Sequence, residues 1–499
     1  MNVKVGLRQL ADEIGARWRC VQVGNMRGLH GAVYSGLRVG SETMTTTRRS
    51  FLHGVGGLGA AATGLGAAGA AFARPVRGKP VAASDRIRVG AIGVRGMGSS
   101  NMRSMLDIDG VECAALCDVD RNVLDERIED FEKLTDSKPD AYSDYRKLLE
   151  DDEIDAVIIA TPDHWHCKIM VDACEAGKDV YVEKPMANSI EEVRIMQQAA
   201  RAYGRVVQVG QWQRSGKHWQ DAMDYLWSGE LGQIRTARAW AYMSWDAPMP
   251  VPDSKPPKGV DYDMWLGPAP KRPFNERRFH WDFRWYWDYA GGLMTDWGVH
   301  LIDMVLMGMK ATAPKSVMSL GGPFGYPDSA METPDTQQAI YEYDDFTMVW
   351  EHGLGIGLGP HQRGHGVSFV GNRGTLVIDR GGWEVLPEVG RENGKRFYKT
   401  PAIPDREASR SQRGLAQHTE DFIECMKTRE QPRCNADVGA LVAVNAHLGN
   451  IAFRTGRRVY WDHETGRFAG DDEANALLLA EYHNGWQLPR VTGAASSAG

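Results

Sequence analysis

A short apolar run that breaks into glycines and then into a helical pattern places the strongest constraint on this chain. Arg86-Ile-Arg-Val-Gly-Ala-Ile92 reads as a strand, Gly93-Val94-Arg95-Gly96-Met97-Gly98 as a tight turn, and the residues on to Leu106 as a helix. A second strand, Val111 to Cys117, ends in Asp118, about 20 residues beyond the turn, which is the dinucleotide-binding spacing. Glycines let a backbone close on a pyrophosphate at a helix N-terminus, and the carboxylate takes the ribose hydroxyls. Gly93, Arg95, Gly96, Gly98 and Asp118 are therefore the expected cofactor contacts. Arg95 stands where the middle glycine of G-x-G-x-x-G belongs, with Gly96 just after it. Asp118 would repel a 2′-phosphate, so NAD is favoured over NADP, although Arg121 lies close by.

The alternation continues. Asp155-Ala-Val-Ile-Ile-Ala160 runs into Thr161-Pro162-Asp163-His164-Trp165-His166. Asp179-Val180-Tyr181-Val182 runs into Glu183-Lys184-Pro185, and Val206 to Val209 reads as the last strand of this sheet. Polar residues thus collect at the carboxyl ends of the strands, the edge where open α/β sheets bind ligands. Thr161, Pro162, His166 and Glu183 are expected beside the cofactor, His166 as lining and not as catalyst. His164 and His166 read equally well as ordinary loop or helix-cap residues. Lys184, followed by a proline that biases it toward extended geometry, is placed to point into the site.

At 499 residues the chain needs more than one core. After Gly210 the pattern changes to a helix over about 218–228 and strand-like segments at Gln233–Met243, Ser316–Leu320, Thr336–Tyr343, Phe346–Glu351, Val367–Val370 and Thr375–Ile378. Asp344-Asp345 between two of them is a hairpin signal. The expectation is an α+β domain with an open, largely antiparallel sheet. Pro248 to Pro273 reads as a surface excursion, and helices near 414–427 and 438–455 pack back on the body. Gly291-Gly292 opens a helix that sets Asp296 and His300 at i and i+4, where a carboxylate can orient an imidazole for proton transfer. Alone, such a pair is more often a surface feature. A net charge of −7 gives no reason to expect nucleic acid or an anionic membrane as partner. The seven cysteines contain no C-x-x-C pair and suggest no metal site.

Thr45-Thr46-Thr47-Arg48-Arg49-Ser50-Phe51-Leu52, a Gly/Ala-rich run and Ala71-Phe72-Ala73 read as a twin-arginine export signal. Residues 1–43 are then an over-called start or an extension, 44–73 the signal, 74–84 a linker, 85–209 the first domain and 210–499 the second. The glycines make a poor membrane span, and Arg74 is not a lipid-accepting cysteine, so no stable membrane anchor is expected. The export machinery is an expected partner, and the periplasm or another extracytoplasmic space the expected location.

Glu183-Lys184-Pro185 and Gly291-Gly292-x-x-x-Asp296-x-x-x-His300-x-x-Asp303 resemble the glucose–fructose oxidoreductase, inositol dehydrogenase and rhizopine-catabolism (Gfo/Idh/MocA) family. Thr161 to His166 and the tail Ala452-Phe-Arg-Thr-Gly-Arg-Arg458 add to the likeness, which runs from Ile87 to about Pro489. The resemblance implies an N-terminal Rossmann domain, a C-terminal open-sheet domain, a nicotinamide cofactor between them and self-association. It also implies Lys184, Asp296 and His300 as the catalytic trio. The expected chemistry is oxidation of a sugar or cyclic polyol, with His300 as base, Asp296 orienting it, and Lys184 stabilising the oxygen and sharing the proton relay. Indoles around the site, Trp281, Trp285, Trp287 and Trp297, with Tyr289, suit a carbohydrate face or simply a core. Arg214, Arg284 and Trp297 are candidate substrate contacts. An exported enzyme would lose a freely exchanging nicotinamide, so a trapped cofactor with an internal redox cycle is expected. Alternatives are a redox-neutral glycosidase or epimerase working through a transient keto-sugar, and a sugar or cofactor binder without catalysis.

Overall fold

The computed structural model describes residues 86–407 and 414–492. The expectations for 1–43, the twin-arginine segment 44–73 and the 74–84 linker lie outside the described residues.

The first half alternates strand and helix: β1 (Ile87–Ile92), α1 (Met97–Leu106), β2 (Val111–Cys117), α2 (Arg121–Thr135), β3 (Asp140–Tyr142), α3 (Tyr145–Leu149), β4 (Ala156–Ile159), α4 (Asp163–Glu175), β5 (Asp179–Val182), α5 (Ile190–Ala202) and β6 (Val207–Val209). The strands form one parallel sheet in the order β3-β2-β1-β4-β5-β6. β4 and β5 are buried at every position, as strands covered by helices on both faces must be. Alternation divides them between two cores. Val89, Ala91, Ile158 and Tyr181 face the side of Met102 and Phe131, and Ile92, Val157, Ile159 and Val182 face Ile169, Met170 and Val193. Strand order reverses between β1 and β4, which opens a crevice at their carboxyl ends. β3 was not expected from the sequence. It is a three-residue edge strand with no buried position to leave a pattern.

The second half contains α6 (Lys217–Trp227), β7 (Ile234–Met243), α7 (Tyr262–Leu266), α8 (Gly292–Asp296), α9 (Gly298–Met309), β8 (Ser316–Gly322), β9 (Thr336–Glu342), β10 (Thr347–Leu354), β11 (His365–Gly371), β12 (Gly374–Ile378), β13 (Gly382–Pro387), β14 (Val389–Glu392), β15 (Lys395–Tyr398) and β16 (Ile403–Glu407). It ends with α10 (Leu415–Thr428), α11 (Ala436–Thr455), β17 (Val459–Asp462), β18 (Arg467–Phe468) and α12 (Asp472–Ala476). The ten-stranded sheet runs β16-β13-β12-β11-β7-β10-β9-β8-β17-β18. Only the central β7/β10 pair is parallel, so the sheet is mixed but mostly antiparallel. Asp344-Asp345 joins β9 to β10, with Glu342 opposite Thr347. Ala339 and Tyr341 enter the core while Ile340 between them faces outward.

The chain's end returns to the first domain. Phe422 and Ile423 of α10 share a core with Met102 and Tyr181. α11 is a largely buried helix whose Ala440 and Ala443 pack against the first sheet's core and whose Val442 and Ala446 pack against the second's.

The proline-rich stretch 248–273 is exposed throughout 252–259, as a surface excursion should be, but it is also tied back to the body. It straps the two halves together over the crevice. Asp261 N donates to Val119 O at 2.9 Å, Arg121 N to Gly259 O at 2.9 Å, and Asn122 Nδ2 to Lys258 O at 3.0 Å. Gly259 has φ +93°, and a Cβ there would stand 3.1 Å from the Asn122 amide. Asp261 then caps α7, accepting from Met264 N, and α7 buries Trp265 and Leu266. Two large apolar side chains in one turn anchor the strap, a signal outweighed in the sequence by its prolines.

Candidate active site

The crevice between the halves is a cavity of about 850 Å³, bordered by Gly93, Arg95, Gly96, Asp118, Thr161, Pro162, Glu183 and Lys184 from the first half. Arg284, Asp296, Trp297, His300 and Arg380 border it from the second.

At its first end β1 stops at Gly93, with φ +81°. A Cβ on Gly98 would stand 1.9 Å from Gly93 O, so α1 can approach the turn only with glycine there. Gly96 precedes α1 without any side-chain cap, and a Cβ on it would meet nothing within 4 Å. The helix therefore presents uncapped backbone N–H groups beside open space, a cradle suited to a pyrophosphate. Arg95 is exposed on the wall beside that cradle and does not displace the glycine that shapes it. Asp118 accepts from Val94 N at 3.0 Å and Asp120 N at 2.9 Å, which fixes the carboxylate against the turn. Burial raises its pKa despite those bonds. Thr161 Oγ1 is buried on the wall without a hydrogen-bond partner among the described residues. A glycine cradle at a helix N-terminus, a carboxylate fixed beside it and an unpartnered hydroxyl on the same wall suit a nicotinamide dinucleotide.

At the other end Lys184 Nζ donates to Asp296 Oδ1 at 2.6 Å and to Asp296 O at 3.0 Å. Arg284 Nη1 lies 2.6 Å from Asp296 Oδ2. Burial alone would raise the Asp296 carboxyl, but Arg284 and Lys184 outweigh it and hold it well below the usual carboxylate range. Asp296 therefore does not orient His300. α8 ends at Asp296 and α9 starts at Gly298, and His300 N bonds to Trp297 O, so the expected i,i+4 face is interrupted at Trp297. His300 Nδ1 has no hydrogen-bond partner among the described residues. Its ring is set instead by Trp212 and Trp297, both edge-on at 5.9 and 6.2 Å. Gln213 Nε2 donates to the His300 carbonyl at 3.2 Å. Burial, then Lys184 and Arg380, hold the imidazole well below its ordinary pKa, so it is neutral and able to accept a proton.

Other expected residues fall differently. Glu183 borders the cavity but accepts from Asn101 Nδ2 at 2.8 Å and Lys184 N at 3.1 Å, bracing the loop behind the lysine. His166 is buried and absent from the wall. Its Nδ1 lies 2.8 Å from Pro185 O and its Nε2 2.9 Å from Thr161 O, which joins the two loops that carry the site. Arg214 is also off the wall, its guanidinium paired with the fully buried Asp303 at 2.6 Å. Arg284 reaches the wall yet serves Asp296, its guanidinium 4.0 Å from the Trp281 ring centre. Trp281 and Trp297 line the cavity, whereas Trp285 and Tyr289 are core and Trp287 lies under Arg454.

Four contributors were not anticipated. Trp212 follows β6 at the same carboxyl edge, so the rule that singled out Lys184 would have reached it. Asp163 opens α4 and lines the cavity, 6% exposed, and burial raises its carboxyl to about 8 despite Lys184 and Arg284 nearby. His280, on the segment that follows the strap, places Nε2 2.9 Å from Asp120 Oδ2. Arg380 comes from the loop between β12 and β13, where no local pattern marks it.

Residues 87–211 match the oxidoreductase family's NAD-binding Rossmann fold, and residues 231–371 and 390–488 match the same family's C-terminal alpha/beta domain. The chain belongs to the Gfo/Idh/MocA oxidoreductase family, and its first domain is the NAD-binding one. Among curated relatives, a glycosyl hydrolase family 109 protein of Shewanella baltica is 37% identical over 159 residues, and the alpha-N-acetylgalactosaminidase of Shewanella oneidensis is 38% identical over 159 residues. Each match covers 29% of this chain and about a third, 35%, of the relative. Levoglucosan dehydrogenase, solved with NADH and levoglucosan, shares the fold at TM-score 0.57 and 18% identity, over 75% of this chain and 99% of that one. The aldose-aldose oxidoreductase of Caulobacter crescentus does so at TM-score 0.55 and 18% identity, over the same shares.

Proposed function

We propose that this protein is an exported NAD-dependent oxidoreductase acting on a hydroxyl-bearing carbon of a carbohydrate. The observation that carries the reading is the pairing, on one cavity wall, of a lysine locked by a buried carboxylate with an imidazole held neutral. His300 takes the hydroxyl proton. Lys184, fixed by Asp296, donates to the same oxygen as its negative charge grows, and a donor aimed in advance has no reorganisation cost at that moment. Bound NAD supplies the acceptor for the hydrogen that leaves the carbon with its electron pair. Indoles at Trp212, Trp245, Trp281 and Trp297 give the wall flat apolar faces for sugar C–H groups.

The strap supports a cofactor that stays in place. It bonds to both ends of the loop that starts α2, beside Asp118, and His280 adds a bond to Asp120. A resident cofactor fits export by the twin-arginine route, which carries folded proteins, and it demands that each oxidation be followed by a reduction in the same site. Self-association through the second sheet is part of the same reading.

The matches to family 109 proteins favour a second reading, in which the oxidation is transient, the aglycone is eliminated and the sugar is reduced again. One preparation tests both. Denaturing the purified protein should release NAD, and none released would end the resident-cofactor reading. In the native protein, a sugar that changes the nicotinamide absorbance durably, reversed by a second sugar, marks an oxidoreductase. Aglycone release without net change marks the glycosidase. A reporter fused behind residues 44–84 should leave the cytoplasm, and Arg48→Lys with Arg49→Lys should hold it there.

A further inference from the structure

Trp281 belongs to the cavity wall and yet is 53% exposed, which puts it at the mouth. A single exposed indole needs no explanation, but this one is held fast. The guanidinium of Arg284 lies over its ring, 4.0 Å from the centre, and Arg284 Nε donates to the Trp281 carbonyl at 3.0 Å. Trp245 meets the ring edge-on at 5.5 Å. The turn that follows, Asp282–Trp285, buries Trp285 and so anchors the backbone as well. With Arg284 over one face and Trp245 against an edge, the exposed half of the indole is its other face.

The same guanidinium reaches Asp296 at 2.6 Å, and the Arg284 side chain is only 13% exposed. One buried cation therefore sets the indole relative to the carboxylate that aims Lys184. Trp245 makes a second link inward, edge-on to Trp297 at 6.4 Å, and Trp297 stands edge-on to His300 at 6.2 Å. A sugar whose hydroxyl lies between Lys184 and His300 meets Trp212 and Trp297, the indoles around the base. Trp281 stands beyond them, a rigid apolar face at a set position from the reacting oxygen.

Building on the carbohydrate-oxidoreductase reading, we propose that the open face of Trp281 is a subsite for a second ring, and that the substrate is a glycoside whose aglycone is itself a pyranose. The C–H face of a pyranose lies flat on an indole, and a platform already ordered by Arg284 and Trp245 loses no side-chain freedom on binding. The stack touches no reacting atom. Its binding energy holds the first ring's hydroxyl at His300.

The test follows bound-nicotinamide absorbance and aglycone release in the native full-length protein. Maltose, cellobiose, melibiose and lactose are each compared with the methyl glycoside of the same sugar and anomer, which lacks only the second ring. The disaccharide of the reactive sugar should be preferred about tenfold or more in kcat/KM. Trp281→Ala should erase that ratio, and Trp281→Phe, which keeps a flat face, should retain part of it. Thermal stabilisation by the same disaccharide, read without turnover, should weaken in parallel. If Trp281→Ala lowers turnover of disaccharide and methyl glycoside alike, the indole only braces Arg284 and Asp296, and the subsite is overturned while the oxidoreductase stands. Methyl glycosides that react as well as the disaccharides in the wild type overturn it too. So does a Trp281→Ala protein that has lost its nicotinamide, which assigns the face to the cofactor. If no sugar in the panel changes the nicotinamide or releases an aglycone, the oxidoreductase reading fails and the subsite with it.

Discussion

Lys184 and Asp296, 112 residues apart in the chain, meet at 2.6 Å where the two domains face each other. The carboxylate's second oxygen takes Arg284, so one buried acid holds two cations from different segments. Removing one partner of a buried pair strands the other at a cost of about 3–5 kcal/mol. Asp296→Ala should therefore lower the melting temperature markedly and also cut turnover by about 10²-fold or more, since the lysine loses its aim. Lys184→Met leaves Asp296 with Arg284 and should cost less stability for a similar loss of rate. Calorimetry together with single-turnover absorbance separates the two effects.

The two glycines of the cofactor turn should respond differently. Alanine at 98 drives its Cβ into Gly93 O at 1.9 Å, so Gly98→Ala should both destabilise the first domain and lose NAD. Alanine at 96 meets no protein atom within 4 Å. Gly96→Ala should keep the wild-type melting temperature of the nucleotide-free protein while weakening NAD, because its methyl occupies the cradle. Measuring the nucleotide content and the apo melting temperature of both variants checks the contrast.

His280 joins the segment after the strap to Asp120 through a single hydrogen bond of 2.9 Å. A bond of this kind contributes about 1 kcal/mol, or roughly fivefold in a rate. His280→Ala should speed NAD release by about that factor with the fold intact, as followed by exchange against labelled nucleotide. If the release rate were unchanged, the His280–Asp120 bond would have no part in retention.

How much of this could be read in the sequence follows from what leaves a local pattern. The β1–α1 turn, Asp118 and the Lys184 loop were legible because a parallel sheet writes itself as apolar runs with polar ends. Asp296 and His300 were legible as residues but not in their relation. Spacing suggested one helical face, and the break at Trp297 sends the carboxylate to Lys184 and Arg284 instead. Arg214 and His166 looked like site residues for their chemistry, yet Asp303 and two backbone carbonyls claim them. Such pairings form between distant segments and have no sequence period. Arg380 and the strap's Trp265 failed to show for the same reason. β14 to β16 went unseen because they are mostly exposed and leave little apolar alternation.

Buried imidazoles should make the fold sensitive to acid. Burial lowers His164, His166, His352, His418 and His447 to about 4, and lowers His300 well below its ordinary value. A histidine depressed in the folded state stabilises above the unfolded pKa of about 6.5 and loses that contribution as pH falls toward the folded value. Asp163 and Glu192, raised to about 8 and about 7, work in the opposite sense over this range, because only the folded state keeps their protons. Unfolding in acid therefore takes up protons at these rings, offset in part by the carboxyls that burial raises, Asp118, Glu183 and Asp303 included. Melting temperatures measured from pH 7 to pH 4.5 should fall steeply, and a flat profile would contradict the buried neutral rings.

Asp163 offers the sharpest single substitution. Burial raises its carboxyl from 3.8 to about 8, so below pH 4 both folded and unfolded chains hold the proton. Between pH 4 and pH 8 the unfolded chain releases it and the folded chain does not, and stability falls as pH rises until the folded group also ionises. Asp163→Asn mimics the neutral acid and escapes that loss. Its melting temperature should exceed that of the wild type by a margin that opens above pH 4 and levels off above pH 8, with an upper limit of ~6 kcal/mol at about 1.4 kcal/mol per pH unit. Turnover gives an independent reading. Above pH 8 the wild-type carboxylate adds a negative charge beside Lys184, Arg284 and Asp296, so kcat should bend near pH 8 in the wild type and not in Asp163→Asn. A bend that survives the substitution would assign the ionisation to another group.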